Sequence, residues 1–430
     1  MMKDIENSKK ESPMLGLTGM GGGVASLMWA GAGETLYNLF GMGRQDYGNG
    51  GELGQNNRTS YSSPVQVPSG TNYDGWTYLM AGGHRYKNNA FAIRDGTLWG
   101  WGSANYGITG TNCQGPPSIC DRGYSSPTQV GTDTTWAQSS NAQNHCIAVK
   151  TDGTMWNWGQ GGQLAHPPGS PAGRHYSSPL QIGSGTDWAY ESTSGFRVWG
   201  TRNWNLAIKQ NGTLWGWGRS QANSPGFEGN NDSASEANNR DSRSSPLQIG
   251  TNTNWASVGH CDDTSMCALK TDNTGWVWGD NGSMCQLGLN QPEASGDRSS
   301  PTQLPGSWKV LAVSDFGSYG IKTDGSMWSW GNNYNGQQGQ NDRSYRSSPT
   351  RIGTDSNWHD LAFGTAVCTG LKTDGTIWTW GDNDYGQLGF NDKVKRSSPT
   401  QVPGVVGGRT DLNYGNFITG DETTIYLSKQ

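Results

Sequence analysis

Residues 371–392 read LKTDGTIWTWGDNDYGQLGFND, and this unit recurs with variation along most of the chain. Its lead-in, Leu371 and Lys372, reaches Asp374-Gly375, a dipeptide that supplies φ > 0 for a tight primed hairpin turn. Thr376 to Trp380 alternate on the return strand, which places Trp378 and Trp380 on one face. The pair recurs as Trp99/Trp101, Trp156/Trp158, Trp215/Trp217, Trp276/Trp278 and Trp328/Trp330. Downstream comes Ser-Ser-Pro, with prolines at 64, 127, 179, 246, 301, 349 and 399, where we expect a repeated turn whose serine hydroxyls satisfy backbone groups. Another tryptophan then follows in most copies, at Trp76, Trp136, Trp188, Trp255, Trp308 and Trp358. The first copy is degenerate, Tyr37-Asn38-Leu39-Phe40-Gly41, and the last, Phe417 to Leu427, keeps strand–turn–strand without tryptophan.

Equivalent aromatic strands lie 47 to 62 residues apart. A period near fifty with several short strands per unit predicts β-propeller blades, and Gly and Pro interrupt every segment that a helical repeat would need. Seven intervals separate two partial units that are incomplete at the same place. The C-terminal strand pair is therefore expected to complete a blade with the first N-terminal strand, removing open sheet edges. The expected fold is all-β: a seven-bladed β-propeller over residues 34–430, preceded by a glycine-rich N-terminal arm over residues 1–33.

The 66 glycines and 21 tryptophans suit many tight turns and aromatic packing between layers. Eighteen of the tryptophans occupy repeat positions, so their abundance needs no aromatic binding groove. A net charge of −5 and 15% charged residues argue against a sequence-independent nucleic-acid binder. Cys113 and Cys120 flank a Pro-Pro loop and would bridge in an oxidising compartment, whereas Cys146, Cys267 and Cys368 precede the Lys-Thr-Asp turn and read as buried strand thiols. The histidines are scattered and no Cys/His cluster has zinc-ligand spacing, so no metal or cofactor is expected. Asp95, Asp152, Asp324 and Asp374 each precede glycine, which is turn chemistry, not catalysis. Gly19–Gly23 lacks the Lys-Ser/Thr of a phosphate loop, and no nucleophile elbow is present, so no catalytic residue is expected.

Residues 14–33 are apolar but carry seven glycines, which suits neither a transmembrane helix nor the apolar core of a signal peptide. Ala30-x-Ala32 has the form of a cleavage site, so secretion is the alternative. As a docking arm, the segment would use Leu15, Leu17, Met20, Val24, Leu27 and Trp29. The longest variable loops span 103–124, 219–243 and 280–298, with an irregular 160–176 between them; there Tyr106, Arg122, His166, Arg174, Phe227 and Arg240 are the candidate partner-binding residues.

The ordered motifs L-K-x-D-G-x-x-W-x-W-G, N-x-Y-G-Q-L-G and S-S-P-x-x-[IV] resemble the repeat of the regulator of chromosome condensation family, over about residues 34–430. The resemblance implies a seven-bladed propeller. Its eukaryotic founder acts in nucleotide exchange on a small GTPase and docks on nucleosomes. The arm here is not basic, and no match to the founder's wedge insertion is identified. The leader LGLTGMGGG resembles those of tailed-phage virion structural proteins. Together these imply a non-enzymatic virion structural or binding protein: a capsid decoration, fibre or tail-associated component on the virion surface. Its arm would hold other virion proteins, and its loops would meet a host receptor or glycan. No nucleic acid and no transmembrane segment enter this reading, and self-association is a further expectation. The alternatives are a bacterial secreted or surface adhesion propeller, and a GTPase regulator or enzyme on the same fold.

Overall fold

In a computed structural model the described residues are 37–429, except 45–52, 68–75, 80–88, 113–122, 162–172, 191–194, 219–242, 262–263, 283–284, 292–295, 315–316, 365, 406, 409, 411–416 and 420–422. The expected arm, with Leu15, Leu17, Met20, Val24, Leu27 and Trp29, lies outside them, as do Cys113 and Cys120.

The strands arrange as antiparallel meanders. The chain starts with β1 (Tyr37–Gly43) and β2 (Tyr61–Gln66), which belong to the blade closed at the end. Blade 2 is β3 (Trp76–Leu79), β4 (Asn89–Arg94), β5 (Thr97–Gly102) and β6 (Tyr124–Gln129). Blade 3 is β7 (Trp136–Asn141), β8 (His145–Lys150), β9 (Met155–Gly161) and β10 (Gly173–Gln181). Blade 4 is β11 (Val198–Gly200), β12 (Trp204–Ile208), β13 (Leu214–Gly218) and β14 (Arg243–Gln248). Blade 5 is β15 (Trp255–Val258) with β16 (His260–Cys261), then β17 (Ser265–Lys270), β18 (Thr274–Gly279) and the first half of β19 (Arg298–Val313). The second half of β19 opens blade 6 with β20 (Ser318–Lys322), β21 (Met327–Gly331) and β22 (Arg346–Arg351). Blade 7 is β23 (Trp358–Phe363), β24 (Val367–Lys372), β25 (Ile377–Gly381) and β26 (Arg396–Gln401). Last, β27 (Phe417–Thr419) and β28 (Thr423–Lys429) join β1 and β2 in the order β2-β1-β28-β27. The architecture is the expected seven-bladed propeller. In the closing blade β28 pairs with β1 from Tyr37↔Lys429 to Gly43↔Thr423.

Burial falls from the first strand of a blade to the fourth. In blade 7, β23 is buried throughout, whereas β26 is half-exposed. The first strands therefore surround the axis and the fourth form the rim. This explains where Ser-Ser-Pro goes. We expected a turn; instead it lies inside the rim strands β2, β6, β10, β14, β19, β22 and β26. Proline lacks an N–H, which is tolerated on an edge strand, and it blunts that edge against further pairing.

The Asp-Gly turns also differ from expectation. Only at Asp95-Gly96 are both φ positive, 49° and 72°, as a primed turn requires. Elsewhere a longer turn carries a single left-handed residue, Gly375 in blade 7 (φ 79°) and Asn273 in blade 5 (φ 64°). The cause is a side-chain relay. Asp374 Oδ1 accepts from the Thr376 N–H at 2.9 Å and from its hydroxyl at 2.6 Å, and Thr376 Oγ1 in turn accepts from Trp378 Nε1 at 2.9 Å. The same chain runs through Asp152–Thr154–Trp156, Asn211–Thr213–Trp215, Asp272–Thr274–Trp276 and Asp324–Ser326–Trp328. These hydroxyl and amide donors hold Asp152, Asp272, Asp324 and Asp374 below the usual carboxylate range.

The repeat lysine completes the unit. Lys372 Nζ sits 3.8 Å from the Trp378 ring centroid, 4.8 Å from that of Trp358 and 2.8 Å from Asp355. Lys150, Lys209, Lys270 and Lys322 repeat this two-ring placement, with Arg94 in blade 2.

Blades are joined by a second repeated device. In the described loops of blades 1, 2, 5, 6 and 7 the asparagine after the Gly-rich turn is left-handed and donates its N–H to the first serine carbonyl of the next blade's rim strand. Asn56 reaches Ser125 at 2.6 Å, Asn112 Ser177 at 2.7 Å, Asn290 Ser347 at 2.9 Å and Asn341 Ser397 at 2.7 Å. Asn391 reaches Ser62 at 2.7 Å and so closes the ring between blades 7 and 1. In blades 3, 6 and 7 the second tryptophan of the pair covers the preceding blade's loop: Trp158 Nε1 donates to Ile108 O at 2.6 Å, Trp330 Nε1 to Gln286 O at 2.8 Å and Trp380 Nε1 to Gln337 O at 2.6 Å.

The first copy is corrected in register. Phe40 pairs with Gln66 as Trp99 does with Gln129, and Gly43 pairs with Tyr61 as Gly102 does with Tyr124. Phe40 and Met42 therefore hold the two tryptophan positions, and Tyr37 lies further back along the strand. Met42 meets Gly389 of blade 7 where other blades present an indole to a glycine. A flexible thioether fills the same gap, so the aromatic pattern could not reveal the frame.

Candidate binding surface

The propeller has two faces. The Asp-Gly turns lie on one, and the loops leaving the W-x-W-G strands lie on the other. Strand β1 begins at Tyr37 on the turn face, because its opposite end, Gly43, occupies the place of Gly102 and Gly381.

The loop face is built on buried asparagines. Asn383 Oδ1 accepts from Leu388 N–H at 3.0 Å, and its amide donates to the Asp392 and Val394 carbonyls at 3.1 and 3.2 Å. Asn333 repeats the arrangement in blade 6 with Gln338, Asp342 and Ser344. Bidentate pairs close the loops: Arg346 Nη2 with Asp342 at 2.8 Å, and Arg396 Nη2 with Asp392 at 2.9 Å. Arg346 and Arg396 are the main reason that Asp342 and Asp392 stay below the ordinary carboxylate range.

On this fixed frame the residue before the repeat arginine changes from blade to blade. In blade 7 it is Lys395, bridging Asp382 at 2.6 Å and Asp384 at 3.2 Å. In blade 6 it is Tyr345, and in blade 5 it is Asp297, set beside Asp280. Burial, with the neighbouring Asp297 carboxylate, raises Asp280 above its ordinary value. Among the described residues the exposed large apolar side chains are Tyr106, Leu247, Tyr334, Tyr345, Tyr385 and Val394. All but Leu247, which sits on rim strand β14, belong to the loop face. Tyr334 is 68% and Tyr345 54% exposed, both in the loop of blade 6. Arg44 lies 4.7 Å over the Tyr385 ring, linking blades 1 and 7.

Of the residues singled out from the sequence, Tyr106 is on this face, left-handed at φ 58° and 4.9 Å from the His175 ring. Arg174 falls in rim strand β10. Arg122, His166, Phe227 and Arg240 lie outside the described residues. Tyr334, Tyr345, Tyr385 and Val394 sit in regular copies, so departure from the repeat does not mark them. The signal was present: the residue before Arg298, Arg346 and Arg396 differs each time.

The axis is filled by aromatic rings from several blades. His260 lies 4.7 Å from Trp199, 5.2 Å from Phe196 and 6.2 Å from Phe363, and Tyr78 and Tyr319 extend the cluster. Beside it Lys309 Nζ is 3.4 Å from His359 Nδ1, near buried Asp360, at a cavity of about 20 Å³, room for one water and not for a substrate. A second concavity, about 550 Å³, opens on the turn face between blades 4 and 5 and is lined by Tyr190, Arg197, Lys209, Asn211, Thr253 and Trp255. It exists because the inner strand of blade 4 departs from its ladder. Ile208 O accepts from Ala189 N–H, whereas Ile208 N–H donates to Arg197 O, eight residues further along the chain. The sequence carries this too: 27 residues separate Trp188 from Trp215, whereas 20 separate Trp136 from Trp156 and Trp358 from Trp378. Among the described residues no three His, Cys, Asp or Glu side chains converge as a metal site would require.

Comparison with known proteins agrees with this geometry. The regulator of chromosome condensation (RCC1) repeat matches residues 324–369 and 374–413, and a second model of the same description matches 309–337 and 358–387. Prp20p from Saccharomyces cerevisiae is similar at 15% identity, with a TM-score of 0.72, over 93% of this chain and 92% of that one. Human WBSCR16 is similar at 15% identity and a TM-score of 0.70, over 92% of this chain and 99% of its own. Residues 309–413 thus carry regulator of chromosome condensation repeats, within a propeller that has the fold of Prp20p.

Proposed function

We propose that this chain is a non-enzymatic binding scaffold: a structural component of a tailed-phage particle, held by its N-terminal arm, that presents the loop face to a host receptor or another protein. The observation that carries the binding reading is the concentration of exposed Tyr106, Tyr334, Tyr345, Tyr385 and Val394 on one face of a hydrogen-bonded frame. Exposed tyrosines on rigid loops bind with little loss of side-chain entropy. Propellers of this shape also offer a precedent, since Prp20p binds Gsp1p and histones, and yeast RCC1 forms a complex with Kap60. The virion reading rests on the leader LGLTGMGGG.

Two measurements test the two parts. Density-purified particles from the source virus should contain the chain with residues 1–33 intact. Absence from particles, or a mature N-terminus after Ala32, overturns the virion assignment. A Tyr334→Ala/Tyr345→Ala variant should keep its thermal midpoint and lose adsorption to host cells. Unchanged adsorption removes the loop face of blade 6 from the site.

A further inference from the structure

One buried thiol pair has chemistry that the propeller architecture does not use. Cys267 lies one residue further along its strand than Cys146 and Cys368 do: it pairs with Val277, whereas they pair with Trp158 and Trp380. By strand alternation it faces the opposite side of its blade. There it meets Cys261, at the end of β16, with the two Sγ atoms 3.9 Å apart. The Cys267 N–H donates to Cys261 Sγ at 3.1 Å, and both residues are almost fully buried. Cys261 is also a junction of three blades. Its carbonyl accepts from Trp199 Nε1 of blade 4 at 2.9 Å, and its strand pairs in parallel with Val313 of blade 6.

We propose that Cys261 and Cys267 form an oxidisable dithiol, which a peroxide converts to a disulfide that clamps the inner strand of blade 5 at the axis. The Cys267 N–H points at the Cys261 sulfur, so Cys261 takes the first attack and Cys267, whose thiol burial pushes well above its usual range, resolves it. The Cys261 sulfur attacks one peroxide oxygen. An S–O bond forms, the O–O bond breaks, and the departing hydroxide takes up the proton that Cys261 released. The Cys267 sulfur then attacks the sulfenic sulfur. The S–S bond forms, the S–O bond breaks, and the thiol proton leaves with the hydroxyl as water. Overall two thiols lose two hydrogens and one peroxide becomes two waters. The sulfurs must close from 3.9 Å to about 2.05 Å.

The test uses the full chain. Folded protein is treated with hydrogen peroxide, alkylated with N-ethylmaleimide in guanidinium, digested and mapped. The expected product is a peptide set joined between Cys261 and Cys267, lighter by two hydrogen masses and restored by dithiothreitol, and the oxidised protein should unfold at higher guanidinium than the reduced one. In Cys267→Ser the resolving thiol is gone, so dimedone should trap a sulfenic acid at Cys261. Both cysteines recovered alkylated, either one joined to a different cysteine, or Cys261 driven to the sulfinic acid beside a free Cys267 would each overturn the proposal. An unchanged unfolding midpoint after oxidation would overturn the clamp.

Discussion

Gly339 and Gly353 have nearly the same backbone conformation, φ 68° and φ 58°, but opposite surroundings. A Cβ on Gly353 would meet nothing within 4 Å, whereas one on Gly339 would lie 2.9 Å from Trp380 Nε1 and 3.2 Å from Pro399 Cδ, both of the next blade. Alanine at either site pays the left-handed penalty of about 1 kcal/mol, partly offset by the stiffer unfolded chain. Those two terms cancel in a comparison. What remains at Gly339 is overpacking of the blade 6–7 joint, about 1–3 kcal/mol, together with strain on the bond from Trp380 Nε1 to Gln337 O. Gly339→Ala should therefore be less stable than Gly353→Ala by about 2 kcal/mol. Guanidinium unfolding followed by tryptophan fluorescence measures this as a lower midpoint at unchanged slope. If the two variants unfold within about 0.5 kcal/mol of each other, the indole-on-glycine contact does not set blade packing, and the account of the joint fails.

Three further predictions concern polar groups. Thr376→Val removes the donor to Asp374 and the acceptor for Trp378 together; it should cost about 1–2 kcal/mol by denaturant unfolding, and Thr376→Ser should recover most of it. Asp152, Asp324 and Asp374, hydrogen-bonded, and Asp342 and Asp392, paired with arginine, all titrate below their ordinary value. Their contribution is present above the unfolded pKa and lost as pH falls through the folded values, so the unfolding midpoint should hold from pH 7 to about 4 and then drop. Asp280 has the opposite sign: its raised pKa means that stability is lost as pH rises past the unfolded value. Asp280→Asn should thus stabilise the protein at pH 7, and a thermal scan showing no rise in midpoint would remove the burial and Asp297 repulsion of Asp280 from consideration.

The fold was legible because its determinants are local and repeated. An Asp-Gly or Asn-Gly turn, a pair of tryptophans two residues apart and a Ser-Ser-Pro motif recur in fixed order, and a period near fifty leaves few architectures. The buried strand thiols Cys146, Cys267 and Cys368 were equally readable from their place before the turn. Where reading went astray, one local pattern was compatible with two geometries. Ser-Ser-Pro looks like a turn in isolation, and only the rim position of its strand, with an unpaired edge outward, makes proline acceptable within the strand. Asp-Gly signals a primed turn until the hydroxyl of the following Thr or Ser captures the Asp carboxylate and holds its φ negative.

The candidate surface was decided by tertiary structure. Sequence drew attention to irregular insertions, because variation is visible along a chain. Exposure is not: Tyr345 and Lys395 hold equivalent positions, yet one presents an aromatic ring to solvent and the other folds back between two aspartates. The same limit applies to Cys261 and Cys267, whose spacing is unremarkable and whose contact depends on a one-residue shift in strand register. By itself the sequence determined the period, the blade count and the parts of each blade. Tertiary structure decided which side chains those identical parts leave outward, because the ring closes through long-range pairings such as Asn391 with Ser62 that no single repeat contains.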